Sequence, residues 1–187
     1  LWMGIFPFNA WMQMISREHA EIDTTFFFTI FTTSMIFLLL QSLNLFSWFK
    51  QFPAVMPAIE ALGIIMMVVN SIPLAVDPFN RERIANWSGF SLGIILLAIS
   101  INTTDSMHIA LILLLARNLC LCGLGDFFSR YSGTLDDNAR FSLTTFDWIE
   151  YVISASTLAG IPITLTFPSV FLLSSILSVR NPIASIG

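Results

Sequence analysis

The sequence predicts an all-α, polytopic membrane helix bundle with about six to seven transmembrane helices. Composition is the first observation. The 187 residues are 56% hydrophobic and only 11% charged, with mean hydropathy +0.80, whereas soluble domains carry about 25% charged residues. So little polar surface cannot keep a folded chain in water. Second, apolar runs continue for roughly 20 residues, the length that crosses about 30 Å of hydrocarbon at 1.5 Å per residue. They do not alternate as the strands of a β-barrel do. Third, the few charges fall mostly between these runs. A count below about five spans would undo this topology.

Residues 1–15 read as the end of a spanning helix, interrupted at Pro7. Arg17, Glu18, His19, Glu21 and Asp23 read as a polar loop. Residues 24–46 form the first complete span, with Thr24, Thr25, Thr29, Thr32, Thr33 and Ser34 in its first half. Such hydroxyls bond a preceding carbonyl or a neighbouring helix. After Lys50 and Pro53, residues 54–76 form a span carrying Glu60, and residues 77–83 a charged connector. Residues 84–101 span next, with Ser88, Gly89, Ser91 and Gly93 allowing close helix approach. A short turn then leads into 105–128, whose centre holds Arg117. Residues 129–147 are polar and need no spanning structure. Residues 148–177 are too long for one span and short for two, so two helices should meet at the turn around Gly160–Ile161–Pro162, the second irregular near Pro168. The count is six spans plus the partial first one, in a single transmembrane domain covering 1–187. The chain opens on Leu1 inside an apolar run, which argues against an intact signal peptide and suggests a fragment of a longer polypeptide.

This alternation places Arg17, Arg81, Arg83, Arg130, Arg140 and Arg180 on one side and only Lys50 on the other. The positive-inside rule makes the arginine-rich side cytoplasmic or its organellar equivalent.

Nothing is basic enough to suggest nucleic acid. No P-loop, dinucleotide fingerprint, HExxH or nucleophile elbow is present, and no catalytic, metal-binding or cofactor-binding cluster is expected. Cys120 and Cys122 point about 200° apart on one helix and read as packing residues. Asn86-Trp87-Ser88 and Asn102-Thr103-Thr104 match glycosylation sequons, a pattern common by chance. The ionisable residues inside apolar runs are Glu60, His108, Arg117 and Glu150. A charge at mid-membrane costs about 2.5–3.5 kcal/mol on insertion scales, so Arg117 should face other helices or water. Because arginine stays protonated, it can set a field but not relay a proton. Carboxylates, His108 or water on the threonine-rich helix are the candidate relays. Glu60 is the first candidate partner for Arg117. Glu60 near a helix end, Glu150 and Asp147 at a helix start, and His108 beside Asp105 also suit interfacial or capping roles.

Four stretches, in order, resemble the antiporter-like membrane subunits of respiratory complex I and the related Mrp-type cation/proton antiporters. Phe6-Pro7-Phe8-Asn9-Ala10-Trp11 is similar to the family's FPFHxWLP, with Asn9 at the His and Gln13 at the Pro. Residues 80–100 resemble D-x-KR-x-x-AYSS-x-x-x-x-G, with Arg81, Ala85, Ser88 and Gly93 on matching positions. Residues 113–136 resemble HALFKALLFLxAG, with Leu113 at the His, Arg117 at the central Lys and Gly125 at the Gly. LAGIPITLTFPSVFLL resembles LxGLPPLxGFxSKxxL, with Val170 at the exit Lys, and Thr33 falls where many members carry another Lys.

The resemblance implies a membrane-arm subunit of a complex I-like assembly (NADH/quinone oxidoreductase or Mrp-type) in an energy-transducing membrane: bacterial plasma, mitochondrial inner or thylakoid. Its partners would be other membrane subunits and the lipid bilayer, and Phe-rich, small-residue faces such as Ser88–Gly93 would need them. The ion-pathway candidates are Arg117, Glu60, His108, Thr33 and Glu150. With Asn9, Leu113, Thr33 and Val170 in place of titrating residues, the row would be rerouted or structural. The alternative from a different class is a self-contained secondary transporter with Arg117 as substrate counter-charge.

Overall fold

A computed structural model describes residues 10–46, 52–77, 82–135, 144–159 and 166–180. Among them are seven helices and no strand: α1 (Ala10–Glu18), α2 (Glu21–Leu45), α3 (Val55–Val76), α4 (Arg83–Ser100), α5 (Thr104–Leu135), α6 (Thr145–Ala159) and α7 (Phe167–Arg180). The class is the expected helical membrane bundle. Among the described residues α2, α3, α4 and α5 are long and apolar enough to cross a bilayer, four of the six to seven spans expected. α6 and α7, with 15 and 14 residues, reach about 22 Å and 21 Å, short of the hydrocarbon core.

Several boundaries also move. The loop expected over Arg17–Asp23 shrinks to His19 and Ala20, because Glu21 and Asp23 already lie in the first turn of α2, where carboxylates suit the positive end of the helix dipole. Residues 129–135 extend α5 instead of leaving it. Pro168 sits in the first turn of α7, where its missing N–H forfeits no intrahelical bond, so no irregularity arises there. Pro7, Lys50, Arg81, Arg140 and the Gly160–Pro162 break lie outside the described residues.

Small side chains set the register. A Cβ on Gly63 would lie 2.9 Å from the Gly93 carbonyl oxygen, and one on Gly89 2.6 Å from Asn70 Cγ. As α3 advances from 63 to 70, its neighbour retreats from 93 to 89, so α3 and α4 are antiparallel. Likewise Gly125 of α5 abuts Thr25 of α2, and Gly123 abuts Ser154 of α6. The Ser88–Gly93 face expected to await an external partner is therefore filled from within the chain.

α4 is the buried centre, with 89% of its span covered, against 22% for α2 and 17% for α3. α1, α2, α3, α5 and α6 all pack on it.

One end of the bundle carries a layer of ion pairs. Arg17 pairs with Glu82, and Arg83 pairs with Glu21 at 2.7 Å under the ring of Phe128, 4.2 Å from its guanidinium carbon. Arg130 bridges Asp126 and Asp147, the latter at 2.8 Å. Arg17, Arg83 and Arg130 thus share one end, as the alternation of loops requires. Nearby, Phe127 packs on Trp148 and Tyr151, an aromatic cluster of the kind found at membrane interfaces.

α6 starts on a capping box. The Thr144 backbone N–H and hydroxyl donate to Asp147 Oδ2 at 2.6 and 2.7 Å, and the Asp147 N–H donates back to Thr144 Oγ1 at 3.4 Å. The hydroxyl and N–H of Thr144, then Arg130, hold the Asp147 carboxyl below the usual carboxylate range. Its contribution to stability is therefore complete above the unfolded pKa of about 3.9 and is lost as pH falls through the lower folded value. Acid unfolding of wild type and Asp147→Asn should accordingly differ at neutral pH and converge below about pH 4. Thr144→Ala should cost about 1 kcal/mol in urea unfolding in detergent.

Candidate functional site at Arg117

Arg117 is 1% exposed, the largest fully buried side chain described. It lies eleven residues before Phe128, about 16 Å inward from the charged end, hence near mid-membrane. The face it shares with Leu113, Leu121 and Leu124 is buried, with Cys120 half-buried. That face points into protein, as a mid-span charge demands.

Its partners are neutral. Nε donates to Ser91 Oγ at 3.1 Å, Nη2 to Ser88 Oγ at 2.6 Å and Nη1 to Asn118 Oδ1 at 3.2 Å. Ser88 and Ser91 come from the small-residue stripe of α4, and their size admits the guanidinium between α4 and α5. Asn118 passes the network on: its Nδ2 donates to Thr33 Oγ1 of α2 at 2.9 Å, and Thr33 Oγ1 faces Asn118 Oδ1 at 3.2 Å. The Thr33 hydroxyl both accepts and donates, whereas the guanidinium only donates, so the bonds at Arg117 keep one direction.

Beside Arg117 lies a cavity of about 10 Å³ lined by Ser91, Leu113, Thr157, Thr166 and Val170, close to the room one water needs. Its far wall is where α6 ends and α7 begins, tied by the Thr166 hydroxyl donating to the Thr157 carbonyl. α2, α4, α5, α6 and α7 therefore converge on one polar centre.

The remaining candidates are placed elsewhere. Arg117 has no carboxylate within 4.0 Å among the described residues, so the expected Arg117–Glu60 ion pair is not made. The register explains it: with Gly63 opposite Gly93, Glu60 lies beside Leu96–Leu97, about 9 Å along the axis from Ser91. Glu60 is half-buried. His108 is exposed, as is Asp105, nine residues or about 13 Å from Arg117 along α5. Glu150 stands against Gly123, toward the charged end. Thr33 alone of these joins Arg117, through Asn118. The sequence reading missed Asn118, although an amide beside a mid-span arginine was a visible signal.

Comparison with models of known families, with curated proteins and with solved structures finds no match to this chain.

Proposed function

We propose that the chain is a membrane-arm subunit of a complex I-like or Mrp-type assembly, built around an ion pathway whose titrating residues are largely replaced. The observation that carries this reading is convergence. Leu113, Arg117 and Val170, which the resemblance assigns to the central row, line one cavity, and Thr33, assigned to the same row, reaches Arg117 through one side chain. Residues far apart in sequence meet where an ion path would run. Arg117 supplies a fixed field there, and the serine hydroxyls accept its hydrogen bonds.

The chain should migrate in mild detergent with other membrane subunits of an energy-transducing membrane. Isolation as a stable, active monomer would overturn the assembly reading. One observation favours the second reading, a self-contained transporter: Arg117 has no acidic partner within 4.0 Å among the described residues, as a counter-charge reserved for an anion would require.

A further inference from the structure

Two open grooves meet near the start of α2, on its exposed side. One, of about 230 Å³, lies between α1 and α2 and is lined by Ile15, His19, Asp23, Thr24 and Phe27. The other, of about 380 Å³, follows α2 from Asp23 past Phe27 and Ile30 to Ser34. Asp23 and Phe27 belong to both. Phe27 and Phe31 stack with ring centroids 5.4 Å apart and 9° between their planes, a flat wall that Trp11 of α1 backs edge-on. Ser34 turns its hydroxyl to the Ile30 carbonyl at 2.8 Å, so below Asp23 the second groove is apolar to its end.

Their common mouth is polar and sits beside the layer of ion pairs. Arg17 is taken by Glu82 and Arg83 by Glu21. Asp23 and Glu18 are exposed and have no ion pair among the described residues. Thr24, next to Asp23, is 1% exposed, and its Oγ1 has no hydrogen-bond partner among the described residues, although buried polar groups nearly always have one. His19 offers a ring N–H at the same mouth. α2 begins there on Ala20, which provides no side-chain cap, so the first N–H groups of the helix lack that partner. Acceptors suited to a cation thus stand side by side with donors suited to an anion.

We propose that the two grooves hold one phospholipid with a primary-amine headgroup, of the phosphatidylethanolamine class, in the leaflet on the arginine-rich side. Its ammonium donates to the Asp23 carboxylate and the Thr24 hydroxyl. Its phosphate accepts from His19 and the start of α2, and one acyl chain runs down over Phe27 and Ile30. Length argues for an acyl chain over a partner's helix. Asp23 to Ser34 is eleven residues, about 16 Å of helix, close to the roughly 15 Å of one leaflet, half of the hydrocarbon core. The groove therefore ends near the middle of α2, whereas a spanning helix needs a track along all 25 residues. Charge selects the headgroup. Asp23 and Glu18 repel a net anionic lipid, and a choline group has no N–H to give Thr24. The site lies on the outer side of α2, away from Arg117, and rests on neither the ion-pathway nor the assembly reading.

The test is native mass spectrometry of the full chain in detergent, titrated with phosphatidylethanolamine, phosphatidylcholine and phosphatidylglycerol of identical acyl chains. Phosphatidylethanolamine should be retained about fivefold better than the other two, as suits a partly exposed charge pair. Asp23→Asn should remove that preference and leave phosphatidylcholine retention unchanged. Ile30→Trp, at an exposed position, should fill the groove and weaken retention of all three. Equal retention of the three lipids by the wild type would mean adventitious annular lipid only and would overturn the proposal. So would a preference for phosphatidylglycerol, a preference that survives Asp23→Asn, or full retention in Ile30→Trp. In native membranes, a photo-crosslinking Ile30→p-benzoylphenylalanine chain should attach to lipid; attachment to a polypeptide would mean that a partner helix covers the groove, and would sink the lipid assignment.

Discussion

Arg117→Met is expected to weaken the bundle without abolishing its fold and, on the ion-pathway reading proposed above, to abolish proton movement through it. The two effects separate because of what surrounds the guanidinium. Removing it removes an insertion cost of about 2.5–3.5 kcal/mol, and methionine fills a similar volume. The losses are three hydrogen bonds to Ser88, Ser91 and Asn118, each worth about 1.5–3 kcal/mol when one member is charged. No buried carboxylate within 4.0 Å is left unpaired among the described residues, which is the event that usually makes breaking a buried pair so costly. Urea unfolding in detergent should thus show a net loss of about 1–6 kcal/mol, the bonds lost outweighing the insertion cost regained. Proton uptake by proteoliposomes containing the assembly should fall to background. Full uptake in the variant would mean that the charge is a relic of packing. Loss of folding would mean that it is structural.

Gly93→Ala should be among the most destabilising single-methyl additions in the chain. Its Cβ would lie 2.6 Å from Met67 Cγ, 2.7 Å from the Gly63 carbonyl oxygen and 3.0 Å from the Met67 nitrogen. Two of the three obstacles are backbone and cannot rotate away, so α3 must shift off α4. Overpacking of this kind costs about 1–3 kcal/mol. Gly89→Ala meets a side chain instead, Asn70 at 2.6 Å. That amide is anchored by its own donation to the Met66 carbonyl at 2.7 Å, so the cost should be comparable but relieved by Asn70→Ala. Thermal unfolding of the single and double variants would check both. An unperturbed Gly93→Ala would mean that α3 and α4 sit further apart than described.

The sequence made the helices legible and the buried charge legible, but not the helix at the centre. Spanning segments are apolar on every side, so periodicity cannot tell the face toward lipid from the face toward protein. α4 betrayed itself only through Ser88, Gly89, Ser91 and Gly93, which read as a surface for an outside partner and instead serve α3 and Arg117. Burial of Arg117 followed from the cost of exposing it to lipid. Its partners did not follow, because they depend on rotation and axial register. Three residues of register separate Glu60 from the Gly63 contact and carry it away from the site. Thr144 and Asp147 were legible in part: the carboxylate at a helix start was read, while the reciprocal threonine was not.

The buried position of α4 also bears on how the chain enters the membrane. Its mean hydropathy over the spanning window is 1.3, the lowest of the four spans, against 2.0 for α3. A segment enclosed by protein has no need of strong lipid affinity, and this one carries Asn86 and three serines that a lone helix would expose to acyl chains. During synthesis, however, α4 leaves the insertion machinery before α5 and α6 exist to enclose it. Of the helices that enclose it, α1, α2 and α3 are there to receive it. The interlocked glycines of the α3–α4 hairpin therefore act first as a biosynthetic device: they let the more apolar helix carry the less apolar one into the bilayer as a pair.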